Sequence, residues 1–517
     1  MVLLLLSLNV WAQPQPCGTP DHFRDFIGVE RPPTGPPTPD LTDHEVHGSI
    51  ENVRYSEHFA LKWGPSHVVT ELDVARILGD FEYAHSIQVE AWSMDEPTGV
   101  GGTYFNVYLG DTGGAVPSVL GNAGYYTTDD FGYPMIVIGK HILPEVGYAR
   151  SVIAHEFFHA VQHASEAFYD WETGGWYWEA TATWAAGEVV PESNTYCAFL
   201  PFYALQPQRG LYHHSIDDFG GTPPDLHQYG AFIFPRFISE QLGLPEAIHS
   251  SWREGTEGDD PVQVLRTLLG ETEFNAAFVK HGAHNLTWDY ADSESYNYWV
   301  DGYAEGFASQ DLRSTTIELQ DDTDWYTPVS GGALAPVSYM SFPIPEGWLD
   351  GDQLTVKILP NVADAESSDA QLIGQVTSFA DGNPESVPEY IGLSTTAVHD
   401  TVTVDTGAWL WLTVANVASK GESSGSVPYK VSFLPRDDPT PEPEDTGDPE
   451  VESADTGSSL EEPVEEEPFL PEVEASGYTP PKEPGGCSCT SSPLSGGPWF
   501  LALLPLVFVR RSDSPTG

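Results

Sequence analysis

Apolar positions recur at helical spacing between Thr70 and Trp92, where Leu72, Val74, Ile77, Leu78, Phe81 and Ala84 predict one face of an amphipathic helix. His58–Trp63 alternates as a strand does, and Tyr104–Leu109, Ala123–Thr128 and Pro134–Ile138 give further strand signals. Residues 148–168 contain neither Pro nor Gly. Val152, Ile153, Phe157 and Val161 surround that stretch with apolar side chains, as in a buried helix. Beyond a break at Gly174–Gly175, Trp176–Glu188 reads as a second, aromatic-rich helix. Residues 190–310 read as largely helical, most clearly at Tyr229–Leu242 and Pro261–Leu269. From Ser314 to Pro435 the pattern changes. Thr316–Leu319, Ala335–Phe342, Gln353–Ile358, Ala370–Thr377, Thr401–Val404, Trp409–Val414 and Tyr429–Phe433 are short strand-like runs separated by turn residues. Such spacing predicts a β-sandwich.

The helix over residues 148–168 carries His155-Glu156-Phe157-Phe158-His159. Residues four apart share a helix face, so His155 and His159 can aim two imidazoles at one point, with Glu156 beside them. That arrangement suits a zinc ion held by two neutral nitrogens and a carboxylate that takes a proton from the attacking water. Two His and a Glu on one buried face are costly without a partner. A catalytic zinc usually has three protein ligands. Gln162 and Ser165 stand where the extended metzincin motif needs Gly and His, which excludes that class. Glu179, set among bulky apolar neighbours, is the best third ligand, since a carboxylate there is expensive unless it binds something. Glu172 and Glu188 are weaker candidates. Asp225, in a segment loosely like that of the aspzincins, is a rival.

Zinc hydrolysis of a carbonyl also needs a group to stabilise the developing oxyanion. Tyr229 and then His227 are the candidates, with His213 and His214 also available. A strand just ahead of the active helix can pair with an extended substrate backbone, which points to Tyr125–Thr128 or Met135–Ile138.

HEFFHAVQ, then WYWEATATWAAGEVV, then QYGAFIFPRFISEQLG resembles a family of predicted secreted metalloproteases from myxobacteria and their relatives. The resemblance covers roughly residues 45–310. It implies a gluzincin-like fold with His155, His159 and Glu179 as metal ligands and Glu156 as base. Where thermolysin-like gluzincins place an Asp that orients a ligand His, this chain has Thr183.

Composition narrows the picture. The chain has 517 residues and a formal net charge of −57, a field that opposes binding to nucleic acid and anionic membranes. Asp437–Pro484 carries 17 acidic residues against one Lys and is expected to be a disordered spacer. Met1–Ala12 is an apolar run ending in a small residue, as in an export signal. In an oxidising compartment Cys17 and Cys197 either pair or stay free. Gly485–Cys489 precedes the apolar run Trp499–Val509 and Arg510-Arg511, which resembles a myxobacterial C-terminal sorting tail. Asp321-Asp322-Thr323-Asp324 is a candidate Ca2+ site, with a solvated turn as the plainer reading.

The expected organisation is a signal peptide (1–12), a Pro-rich extended segment (13–45), an α+β zincin-like metallopeptidase domain (46–313), a β-sandwich domain (314–436), a disordered acidic linker (437–484) and a C-terminal sorting tail (485–517). The expected function is that of an exported Zn2+-dependent endopeptidase at the cell surface (outer membrane) or outside the cell. Its partner is a protein or peptide substrate, and its tail engages a membrane or sorting machinery. Two alternatives stand beside it: a surface adhesion protein acting through the β-domain, and a zinc hydrolase of non-peptide substrates.

Overall fold

In the computed structural model the described residues are 17–434, apart from 28, 30, 34–40, 215–225, 304–316, 321–323, 330–331, 346, 349–351, 363–368, 381–386, 394–398, 406 and 423–424. The first elements are α1 (Thr19–Phe26), β1 (Asn52–Tyr55), β2 (Phe59–Trp63), α2 (Glu71–His85), β3 (Phe105–Gly110), β4 (Gly124–Thr128) and β5 (Pro134–Gly139). Two long helices follow, α3 (Val146–Ala164) and α4 (Trp171–Val189). The strands form one sheet in the order β1-β2-β3-β5-β4. β2, β3 and β5 run parallel, while β1 and β4 close the two edges antiparallel. β5 lies inside this sheet and is buried along its length, which explains its unbroken apolar run. Met135–Ile138 therefore has no free edge to offer a substrate, and only β4 of the two candidates lies at the rim.

Local chemistry sets the helix ends. Thr70 and Asp73 form a reciprocal capping box at the start of α2. Val74, Ile77, Leu78, Phe81 and Ala84 are buried as their spacing predicts, but Leu72 in the first turn is 80% exposed. α4 starts five residues earlier than its expected range and runs straight through Gly174–Gly175. A Cβ on Gly174 would lie 2.5 Å from the Phe168 carbonyl oxygen, and one on Gly175 would lie 2.8 Å from the Trp171 ring. These glycines permit close packing and do not break the helix.

The next elements are α5 (Leu200–Ala204), α6 (His227–Gly230), α7 (Ile233–Arg236), α8 (Pro245–Glu254), α9 (Pro261–Leu269), α10 (Glu271–His284) and α11 (Ser293–Tyr303). The continuous helix expected over Tyr229–Leu242 is instead two single turns followed by a wider turn at Phe237–Gln241. Pro235 removes a backbone donor within it.

Then come β6 (Ile317–Leu319), β7 (Tyr326–Pro328), β8 (Ala333–Leu334), β9 (Ser338–Pro343), β10 (Gln353–Pro360), β11 (Leu372–Phe379), β12 (Glu389–Gly392), β13 (His399–Thr403), β14 (Trp409–Asn416) and β15 (Val427–Leu434). They make two antiparallel sheets, β13-β10-β15-β7-β6 with β8 on β15, and β12-β11-β14-β9. Leu354, Val356 and Phe433 from the first share a core with Phe342, Val376 and Leu412 from the second. This pair packs on the helices. Asn285 donates to the Tyr339 hydroxyl at 2.7 Å, and Arg266 pairs with Glu422 at 2.7 Å. The described residues thus form one mixed α+β unit with several sheets.

The segment expected to be extended, 13–45, contains α1. Pro20 sits in its first turn, where a missing N–H costs nothing. Phe23 and Phe26 bury against Trp171, Trp178 and Tyr126. The export signal, acidic linker, sorting tail, Asp225 and most of the candidate Ca2+ segment lie outside the described residues. Among the described residues, no helix is long and apolar enough to cross a membrane.

Candidate metal centre

α3 is buried almost throughout, and one of its faces presents His155 and His159 with their Nε2 atoms 3.1 Å apart. α4 packs alongside and brings in Glu179. Its Oε2 is 3.3 Å from His155 Nε2 and its Oε1 is 3.6 Å from His159 Nε2. A fourth donor comes from far away in sequence: Cys17 Sγ is 3.5 Å from His159 Nε2. The four donor atoms lie within 4.8 Å of one another, and all four residues are buried. Tetrahedral zinc, with bonds of roughly 2.0–2.3 Å, spaces its donors about 3.3–3.6 Å apart. The donor types suit zinc, and the four separations just given, 3.1–3.6 Å, lie close to that spacing. Glu179 adds a direct indication, because neither of its buried oxygens makes a hydrogen bond. A carboxylate in that state is costly without a cation.

Gln162 orients the centre. Its amide nitrogen donates to the Trp178 carbonyl and to Thr181 Oγ1, both at 2.9 Å, which occupies both amide protons. Its oxygen must then accept from His159 Nδ1, 2.7 Å away. That fixes the His159 tautomer and leaves the Nε2 lone pair facing the cluster. Thr183 does not take this part, since its buried hydroxyl makes no hydrogen bond. Replacing Gln162 with Leu keeps the bulk but frees the imidazole. Metal affinity, measured by chelator competition, should fall about 10–100-fold. Unchanged affinity would show that the amide orients nothing.

Glu156 sits beside the cluster without belonging to its four donors. Its Oε2 accepts from Cys17 Sγ at 3.3 Å and from Thr19 Oγ1 at 3.1 Å, while its buried Oε1 has no hydrogen bond. Burial raises the Glu156 carboxyl above the usual carboxylate range, with His155 and His159 opposing the shift. Burial also raises Glu179, but His159 and His155 outweigh it and hold that carboxyl low.

A pocket opens on the site, lined by Cys17, His155, Glu156, Tyr196, Phe199 and Tyr229 among others. The Tyr229 ring stacks near His155, and its hydroxyl donates to the Cys17 carbonyl at 3.1 Å. Burial and the nearby Glu179 keep this phenol protonated and hence a donor. His227 is not among the lining residues. It is wholly buried, with Nε2 donating to the Gly210 carbonyl at 3.0 Å and its ring packed on Tyr203 and His213. Two positions along a single helical turn, Tyr229 and His227 cannot serve the same face. His213 receives Arg209 at 2.9 Å, and His214 holds the Tyr212 carbonyl at 2.7 Å. Glu172 pairs with Lys420 and Glu188 with Arg236, so neither joins the metal cluster. Cys17 and Cys197 are both free and buried. The part Cys17 plays is absent from the motif pattern, since it lies 139 residues from Glu156 and 142 from His159.

No curated protein matches the chain. One solved structure that matches is that of "A novel family GH115 4-O-Methyl-alpha-glucuronidase, BtGH115A, with specificity for decorated arabinogalactans". The match has 11% identity and a TM-score of 0.13, spans 57% of this chain and only 39% of that one, and carries no argument. Residues 32–335, more than half of the sequence, match the Family of unknown function (DUF6055), and the chain belongs to that family.

Proposed function

We propose that the chain is an exported zinc-dependent endopeptidase with a zincin-like catalytic core. The observation that carries this reading is the convergence of His155, His159 and Glu179 on one point, beside a pocket that His155, Glu156 and Tyr229 line. Nitrogen and carboxylate donors suit zinc. When bound, the ion supplies positive charge that polarises a carbonyl and acidifies water. The protein's own groups divide the rest of the work. Glu156 accepts the water's proton and returns it to the leaving amine. The Tyr229 hydroxyl donates to the carbonyl oxygen as charge builds on it. The outer edge of β4 holds the substrate backbone as an added strand. Gln162 keeps His159 turned toward the ion. The β-rich region, the acidic stretch 437–484 and the tail serve placement at the cell surface in this reading.

The Cys17 thiol touches Glu156 and His159, so the test uses Cys17→Ser. The zinc-loaded variant should cleave casein, lose that activity to a chelator and regain it with zinc. A folded chain that retains zinc but leaves casein and gelatin intact would overturn the endopeptidase reading.

A further inference from the structure

The metal cluster has one donor more than hydrolysis needs. A catalytic ion keeps a coordination position open, yet Cys17 Sγ completes the set of four. The same short segment engages the other parts of the site. The Cys17 thiol and the Thr19 hydroxyl both donate to Glu156 Oε2. The Cys17 carbonyl accepts from Tyr229. Along the sheet rim, Gly18 N–H donates to the Gly124 carbonyl at 2.8 Å, and Tyr126 N–H donates to Thr19 Oγ1 at 2.8 Å. α1 then anchors the segment, with Phe23 on Trp171 and Trp178, Phe26 on Tyr126, and His22 stacked on Tyr125.

We infer that Cys17–Phe26 is a built-in plug that holds the centre latent, with Cys17 Sγ as the fourth metal ligand and Gly18–Thr19 in the substrate's place on β4. The purpose of the plug rests on the endopeptidase reading, whereas ligation and occlusion can be tested without it. The cysteine is more than a packed thiol, because three buried carboxylate oxygens around it, both of Glu179 and Oε1 of Glu156, make no hydrogen bond. Sulfur ligates as the thiolate and gives its proton up to solvent. Displacing the segment exchanges that sulfur for water and frees the edge of β4, Glu156 and Tyr229 together.

The experiment loads the full chain with Co2+. Wild type should show a thiolate-to-cobalt charge-transfer band in the near ultraviolet, and Cys17→Ser should lack it. Acetohydroxamate, a small metal-binding anion, should perturb the cobalt spectrum of Cys17→Ser at concentrations about tenfold or more below those wild type needs, because the intramolecular ligand competes. Gly18→Leu is the second variant. Its Cβ would lie 3.2 Å from Tyr125 Cβ on β4 and closer still to the Asn122 side chain, which crowds the segment against the strand while keeping the cysteine in the chain. It should also gain acetohydroxamate affinity. Absence of the band in wild type, or equal acetohydroxamate affinity in all three chains, overturns the plug. Variants that open to acetohydroxamate yet cleave no casein overturn the endopeptidase reading and leave the plug standing.

Discussion

Glu156→Gln, made in a chain that already carries Cys17→Ser, should keep one zinc per chain while casein hydrolysis falls about 10²–10⁴-fold. The two halves of that result have different causes. Glu156 is not among the four converging donors, and Gln has nearly the same shape, so the ligand cluster is undisturbed. An amide cannot accept the proton that a carboxylate takes, so the chemical step loses its base. Burial raises the Glu156 carboxyl, the direction that suits a base which must also return its proton. Glu179→Gln makes the contrast. There an ionised ligand, held low by its two histidines, becomes a weak neutral one, and zinc and activity should disappear together. Metal content after dialysis and initial rates, measured on the same samples, separate the cases. If Glu156→Gln also sheds its zinc, the residue is a ligand and the assignment of a base fails. If it keeps both zinc and rate, the proton goes elsewhere.

The placement of those residues was open to sequence reasoning because it depends on short-range geometry. His155 and His159 are one helical turn apart, and any helix there puts them on one face. Glu179 could be singled out because a carboxylate among Trp176, Trp178 and Trp184 is expensive to bury. What escaped depends on tertiary contacts. Cys17 joins the cluster only because α1 folds back beside β4, and the prolines around that segment hid a helix that tolerates Pro20 in its first turn. Gln162 was visible as a residue, but its role follows from partners on α4 that occupy both amide protons. Gly174–Gly175 looked like punctuation because glycine has two uses, turning a chain and letting one surface approach another. The contacts with Phe168 and Trp171 select the second. The strands of the β-rich region were mostly legible through their alternation. β7, β8 and β12, short and only partly buried, carry too few alternating positions to stand out, and the same holds for β1 in the first sheet.

Acid should unfold this protein well before its surface carboxylates are neutralised. His163 and His227 are buried and hydrogen-bonded as neutral rings, and burial lowers each to about 3. His284 is lowered to about 4 by the same cause. In the unfolded chain each titrates near 6.5. Between these limits the unfolded state binds protons that the folded state refuses, so the stability they contribute is fully present above about pH 6.5 and is lost as pH falls. Each group costs about 1.4 kcal/mol per pH unit, so three of them remove about 8 kcal/mol by pH 4.5. That rivals the roughly 5–15 kcal/mol that holds a typical domain together. Relief of the −57 charge works the other way, but exposed carboxylates titrate near pH 4, below most of this window. Urea unfolding measured from pH 7 to 4.5 should therefore show stability falling with a slope of several protons. His227→Gln can keep a donor toward the Gly210 carbonyl and removes one titrating ring, so its slope should be shallower by about one proton. A slope identical to wild type would mean that His227 already carries its proton in the folded chain, and that burial of a neutral imidazole is not what makes the fold acid-sensitive.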